Sequence, residues 1–192
     1  MIKLTRTLTI IAALLCLTPM FAQKNGTTER WALPCISVAN MRSKPSHSAE
    51  LSSQALMGMP VRLIERHGDW WLSETPEGYE GWINSSSLAF KTPQEMKEWR
   101  SADRAVVTSA YQTRCYKSPD KRDANNVVSD LVNGDIVELS SEKPIDGMSA
   151  IKLPDGRNGW VNSNDISQIA EWSQQNFYYQ NILDMAHSMF GQ

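Results

Sequence analysis

Between Leu51 and Leu88 the chain alternates apolar and polar positions in short runs broken by turn residues. Val61 and Leu63 flank Arg62, the period-two signature of a half-buried strand. After a break at His67-Gly68-Asp69, Trp71 and Ser73 continue a second strand. Thr75-Pro76-Glu77-Gly78 then reads as a turn, because proline presets φ at the second position and glycine accepts a positive φ at the fourth. That turn predicts an antiparallel hairpin running on into Gly81-Trp82-Ile83.

A degraded second copy of the pattern lies between Leu131 and Ile166. Gly134-Asp135-Ile136-Val137-Glu138-Leu139 follows the pattern of Gly58 to Leu63, Pro154-Asp155-Gly156 that of Pro76-Glu77-Gly78, and Gly159-Trp160-Val161 that of Gly81-Trp82-Ile83. The offset is 76 residues at the first glycine and 78 at the tryptophan, which places a two-residue insertion near Lys143–Gly147. A period this long exceeds the roughly 20–50 residues of stacked repeats. The pattern therefore predicts a mainly β chain made of two small, independent domains in tandem.

The remaining segments take their places around that repeat. Residues 1–22 read as a secretory leader: Lys3 and Arg6 precede an apolar run from Leu8 to Leu17, and Pro19-Met20-Phe21-Ala22 ends it. The chain is expected to be exported, to the periplasm or beyond; an uncleaved anchor and lipidation at Cys16 are the alternatives. The first domain spans 31–90, with a short strand at Ile36-Ser37-Val38, a loop over Asn40–Pro45 matched by Thr113–Pro119, and Leu51–Leu56 closing that loop. Residues 91–104 form a linker helix, signalled by Thr92, Pro93 and Glu95 as a capping box with proline at the first helical position. Met96 and Trp99 on this helix can pack against a barrel. The second domain spans 105–168. Residues 169–192 form a terminal helix, where Phe177, Ile182, Leu183, Ala186, Met189 and Phe190 recur at helical spacing over a broad apolar face.

Composition narrows the function more by exclusion than by assignment. Net charge is −2 with no basic block, which argues against an electrostatic nucleic-acid partner. Seven tryptophans predict barrel cores and closures, with Trp82 and Trp160 at matched positions. Beyond the leader, Cys35 and Cys115 remain, either bridged between domains or buried as free thiols. The sequence has no phosphate-binding glycine loop, no Cys-x-x-Cys and no His-x-x-x-His, and its histidines at 47, 67 and 187 are scattered. No catalytic residue, metal ligand or cofactor is expected.

The elements Met41-Arg42 with Pro45, Gly58 with Val61, and Gly81-Trp82-Ile83 resemble bacterial SH3 domains. Ser53-Gln54-Ala55-Leu56-Met57-Gly58, Gly68-Asp69-Trp70 and Gly78-Tyr79-Glu80-Gly81-Trp82 resemble, more specifically, the first SH3 domain of NlpC-family γ-D-glutamyl-L-diamino acid endopeptidases. The likeness runs from Trp31 to the end of the chain. It implies two SH3-like barrels in tandem. It also implies that the terminal helix leads into a cysteine-peptidase catalytic domain, whose Asp-Cys-Ser-Gly motif is not in this sequence. In that family the first SH3 domain forms one wall of the active site and holds the free amine of a terminal L-alanine of a wall peptide. The tyrosine that does this falls on Tyr79. The partnering acid falls on Ser52, where the sequence departs from the family, and Glu50 lies two residues earlier and carries a carboxylate. The resemblance thus implies a substrate-recognition and targeting region for peptidoglycan-derived peptides. A stand-alone wall-binding or protein-interaction module is the other class the residues allow.

Overall fold

The computed structural model describes residues 30–109, 111–120 and 126–175. The leader at 1–22 and the apolar positions 177–190 of the expected terminal helix lie outside the described residues. Fourteen strands form two seven-stranded antiparallel sheets. The first holds β1 (Arg30–Pro34), β2 (Val38–Arg42), β3 (Leu51–Leu56), β4 (Val61–His67), β5 (Trp70–Glu74), β6 (Glu80–Asn84) and β7 (Leu88–Lys91), in the order β3-β2-β6-β5-β4-β1-β7. The second holds β8 (Arg104–Val107), β9 (Gln112–Tyr116), β10 (Val127–Val132), β11 (Ile136–Leu139), β12 (Met148–Lys152), β13 (Asn158–Asn162) and β14 (Ile166–Gln168), in the matching order β10-β9-β13-β12-β11-β8-β14. The mainly β tandem architecture stands as the repeat predicts it.

The turns explain the shared topology. Gly78 donates its N–H to the Thr75 carbonyl at 3.0 Å with φ +88°, and Gly156 does the same to Leu153 at 2.9 Å with φ +91°. Each proline-led turn thereby delivers the Gly-Trp strand beside its hairpin partner. Two local expectations need correction. Residues 40–42 and 113–116 are not loop but parts of β2 and β9, and 51–56 is itself a strand. The alternation there runs through small or polar residues (Ala39, Met41, Ala55; Cys115), whose inward positions are buried although few of them are large. Of the short strand expected at 36–38, Ile36 and Ser37 belong to the connection from β1, which the pattern missed, and Val38 opens β2.

The two barrels are each closed by a helix after the last strand: α1 (Pro93–Ser101) follows β7, and α2 (Ile169–Gln175) follows β14. The capping box of α1 is present: Thr92 Oγ1 accepts from Glu95 N at 3.2 Å, and Glu95 Oε2 accepts from Thr92 N at 2.7 Å. Its buried residues, Met96 and Trp99, pack with Leu33 of the first barrel, and Ile136 of the second packs against the same cluster.

The expectation of independent domains is overturned. Met57, fully buried, belongs to the core of the second barrel, among Val107, Leu131, Val137 and Leu153. Its backbone is held at both ends: Asp135 Oδ1 accepts from Met57 N at 3.0 Å, and Met57 O accepts from Ile136 N at 2.9 Å. Around this centre Ser37 Oγ donates to Asp130 Oδ2 at 2.8 Å, and Arg157 Nη2 donates to the Cys35 carbonyl at 3.0 Å. The methionine follows a strand whose alternation marks it as interior, but nothing in that alternation says whose interior.

Two outcomes follow from this joint. Met57→Ala removes a side chain that fills the second core from the first barrel, and costs about 2–5 kcal/mol. Urea unfolding should show one cooperative transition in the parent and an earlier one, or a split one, in the variant. Asp135 gives the joint a pH dependence. Burial pushes its carboxyl from 3.8 up to about 7, against the pull of its two backbone N–H donors, Met57 and Val132. Between those values the folded chain holds a proton that the unfolded chain has lost. Its stabilisation is therefore complete below about pH 4 and is lost as pH rises through neutrality. The urea midpoint should fall between about pH 5 and about pH 8 in the parent, and that part of the slope should vanish in Asp135→Asn.

Candidate functional site

The pairing of β2 with β3 contains one extra residue. Met41 faces Ser53 and Arg42 faces Leu51, so Ser52 is the bulged residue between them. Its hydroxyl donates to the Met41 carbonyl at 3.0 Å. Gly81 of β6 comes in directly opposite: a side chain there would meet Met41 Cβ at 2.8 Å and the Ser52 hydroxyl at 3.0 Å. The glycine of the Gly-Tyr-Glu-Gly-Trp run is therefore required by a close approach, and it brings that run against the bulge.

Tyr79 stands two residues before Gly81, at the end of the β5–β6 turn. Its backbone is fixed, with its carbonyl accepting from Thr75 N at 2.9 Å and its N–H donating to Thr75 Oγ1 at 3.3 Å. Its ring is 62% exposed, the most exposed large hydrophobic side chain among the described residues. A side chain held by a rigid turn yet left in solvent suits a binding contact better than a core contact. Glu50 sits just before β3. Its carbonyl accepts from Ser43 N at 2.9 Å, which closes the 43–50 loop, and Arg42 Nη1 donates to the Ala49 carbonyl at 2.6 Å beside it. The Glu50 carboxylate itself is exposed and makes no hydrogen bond or ion pair among the described residues. The structure thus brings Ser52 to the Tyr79 strand through Gly81, and sets Glu50 on a pinned loop end without joining it to either.

The tryptophan expectation holds in position and fails in burial. Trp82 and Trp160 occupy equivalent places, each facing the strand pair's single bridge to β2 or β9, at Arg42 and Tyr116. Both are half-buried, whereas the deeply buried tryptophans are Trp70, Trp71 and Trp99. Trp82 lies on the outer face, with His67 edge-on at 6.3 Å, and His47 of the 43–50 loop meets Trp70 edge-on at 4.8 Å. Sequence reasoning passed over these histidines because they are scattered along the chain. His67 stands opposite Trp70 in the β4–β5 pairing, a register that the sequence pattern does not print, and His47 belongs to a loop with no register at all.

The second barrel repeats the backbone but not the chemistry. Its own bulge falls at Val128, between the pairs Ser129–Cys115 and Val127–Tyr116, while Gly159 closes on Cys115 of the facing strand. An apolar valine stands where the first barrel has the Ser52 hydroxyl. Cys115 lies beneath this point, buried and free, and burial pushes its thiol up to about 11. Cys35 is likewise buried and free, its thiol raised chiefly by burial and then by Asp155. Neither can offer a thiolate nucleophile near neutral pH. Of the two alternatives read from the sequence, the structure shows free thiols. No cluster of three or more potential metal ligands occurs among the described residues.

Comparisons with known proteins agree with this geometry. Residues 37–89 match the family model described as bacterial SH3 domain. A curated relative, the gamma-D-glutamyl-L-lysine dipeptidyl-peptidase of Bacillus cereus, is 27% identical over 128 residues, covering 62% of this chain and 36% of its own. The chain thus spans about a third of that relative. A solved NlpC/P60 family protein from Bacillus cereus superposes with a TM-score of 0.54 at 20% identity, over 72% of this chain and 56% of its own, a likeness of fold. The chain therefore carries a bacterial SH3 domain at residues 37–89, set within a two-barrel fold that it shares with an NlpC/P60 family protein.

Proposed function

We propose that this chain is the substrate-recognition and targeting region of an exported cell-wall peptide hydrolase, with the first barrel binding the free amine of a terminal L-alanine on a wall peptide. The observation that carries the reading is the first-barrel bulge. Gly81 admits Ser52 against the strand of Tyr79, while the same place in the second barrel is the apolar Val128. An ammonium has three donors and is held by oxygen acceptors, best by a carboxylate. Ser52 uses its hydrogen on Met41 and keeps its lone pairs for a donor. Tyr79 adds a phenolic oxygen and a ring face, and Glu50 adds the charge. The bacterial SH3 match and the dipeptidyl-peptidase relative, whose name specifies a γ-D-glutamyl-L-lysine bond, support a wall-peptide ligand. A catalytic domain of NlpC type acting on the bound peptide is the partner this role requires.

Calorimetric titration of the chain with L-Ala-γ-D-Glu-L-Lys tests the assignment. The peptide should bind, and its N-acetylated form should not. Tyr79→Ala and Glu50→Gln should each weaken binding roughly tenfold, the scale of one charge-assisted hydrogen bond, and Ser52→Ala by less. Equal affinity for the acetylated peptide would overturn the amine assignment. Retention on intact wall sacculi that is indifferent to Tyr79→Ala would favour a stand-alone wall-binding module instead. The chain itself should not hydrolyse the peptide, since both described cysteines are buried thiols; product release by the purified chain would refute this.

A further inference from the structure

The two barrels differ most at one equivalent corner, where the strand opening the barrel, the second hairpin strand, the last strand and the closing helix meet. In the first barrel this corner is a cavity of about 330 Å³ whose walls are aromatic rings and whose rim carries Arg30 and Lys91. Trp71 of β5 meets Phe90 of β7 at 5.9 Å between ring centres, and the Arg30 and Arg66 guanidinium groups each lie 5.9 Å from the Trp71 ring. In the second barrel the register puts Ser149 where Trp71 stands, since Trp71 faces Ile83 and Ser149 faces Val161. It puts Gln168 where Phe90 stands, since Phe90 faces Ala32 and Gln168 faces Ala105. The same backbone, with Ser149 and Gln168 in place of two rings, lines a cavity of about 430 Å³ with polar groups.

The lining of that cavity is selective. Ser149 and Ser163 hydrogen-bond to each other at 2.8 Å on its wall, with Gln168 beside them. Among the described residues, Glu142 and Glu171 are its ionisable groups, Trp172 of α2 adds an aromatic wall, and neither Lys nor Arg lines it. Two carboxylates without a cation repel anions and favour a positive group. An aromatic face adds to the attraction for that same group. Hydroxyls and an amide can bond the rest of a polar molecule, and the volume is in the range of small-molecule sites.

We propose that this corner of the second barrel is a binding site for a small polar ligand carrying a primary amine. The cation would sit between Glu142, Glu171 and Trp172, and hydrogen-bonding groups would meet Ser149, Ser163 and Gln168. The site is separate from the Tyr79 site and does not depend on it. Two sources present this chemistry: the free amino terminus of a short peptide, and the amine of an unacetylated amino sugar.

The full chain is titrated by calorimetry with L-Ala-γ-D-Glu, whose terminus is its one amine, and, separately, with D-glucosamine, each beside its N-acetylated form. The variants Ser149→Trp, which puts the first barrel's ring into the cavity, and Glu171→Gln are each made in the parent and together with Tyr79→Ala, which removes the first-barrel contact. At least one amine should saturate a site that its acetylated form does not occupy. In the Tyr79→Ala chain, Ser149→Trp should abolish the binding that remains and Glu171→Gln should weaken it roughly tenfold. Which amine saturates it identifies the source. Glu171 is exposed, so its variant tests the site even if Ser149→Trp fails to fold. Absence of saturation by both amines up to about 10 mM, a free energy weaker than about −3 kcal/mol, would overturn the proposal. So would binding by the Tyr79→Ala chain that is unchanged by Ser149→Trp and by Glu171→Gln. Binding lost only in Tyr79→Ala would overturn this site while upholding the one in the first barrel.

Discussion

Everything else in the molecule depends on how one turn of the first barrel meets the same turn of the second. The segment Leu56-Met57-Gly58 leads into β4, and Gly134-Asp135-Ile136, from the equivalent turn of the second barrel, leads into β11; the two lie face to face. Both glycines have positive φ, +76° at Gly58 and +92° at Gly134. Neither has room for a side chain. A Cβ on Gly58 would stand 2.2 Å from the Ile136 carbonyl oxygen, and one on Gly134 would stand 2.8 Å from Leu56 Cδ1. Bare backbone on both sides lets the chains approach closely enough for Met57 to enter the neighbouring core. The Asp135 carboxylate then satisfies the N–H groups of Met57 and Val132, which burial would otherwise leave without water. Apolar burial holds the joint together and the aspartate makes it specific.

Against this shared frame the repeats have diverged chiefly in their side chains, apart from a two-residue insertion in the second. Strand order, bulge, proline-led turn and closing helix are common to both. What differs is which corner carries polar groups. The first barrel is polar at the bulge, through Ser52, and aromatic at the helix corner, through Trp71 and Phe90. The second is apolar at the bulge, through Val128, and polar at the helix corner, through Ser149 and Gln168. A duplicated barrel that had lost its role would show polar groups removed without others gained. An exchange of corners is what two barrels with separate binding duties would show.

The repeat itself was legible because its signals are local. Pro-x-Gly turns, the Thr92 capping box and the Gly-Trp pairs each follow from a few adjacent residues, and each reappears in the structure. The strands β1, β2 and β9 were harder to read, because their inward positions are partly alanine and cysteine and give a weak alternation. The docking of the barrels was not legible at all. Met57 reads as an interior residue from its pattern, and Asp135 reads as a turn aspartate; only long-range packing makes one a plug and the other its clasp. In the candidate site, Tyr79, Glu50 and Ser52 could be named from resemblance. The reason Ser52 matters, its place on a bulge against Gly81, needs a strand register that sequence does not print.

The joint also bears on the first-barrel site through β3. That strand carries Ser52 at its bulge near one end, and Leu56 and Met57 lie at and just beyond the other. Five residues of extended chain separate bulge from plug, a span of roughly 16 Å. A strand anchored at one end in a neighbouring core and paired along its length with β2 has little freedom to shift its other end. Register is what such a shift would disturb, and a slip of one residue would turn Ser52 away from Gly81. The second barrel therefore helps fix the geometry of a site it does not touch. Loosening of the joint, whether by loss of the Met57 side chain or by ionisation of Asp135, should relax the bulge before it unfolds either barrel. The amide protection of Ser53 and Ala55, compared between parent and Met57→Ala by hydrogen exchange, reads this coupling directly. Protection at Ser53 that falls along with that at Ile136 would show one cooperative unit, and protection unchanged at Ser53 would separate the site from the joint.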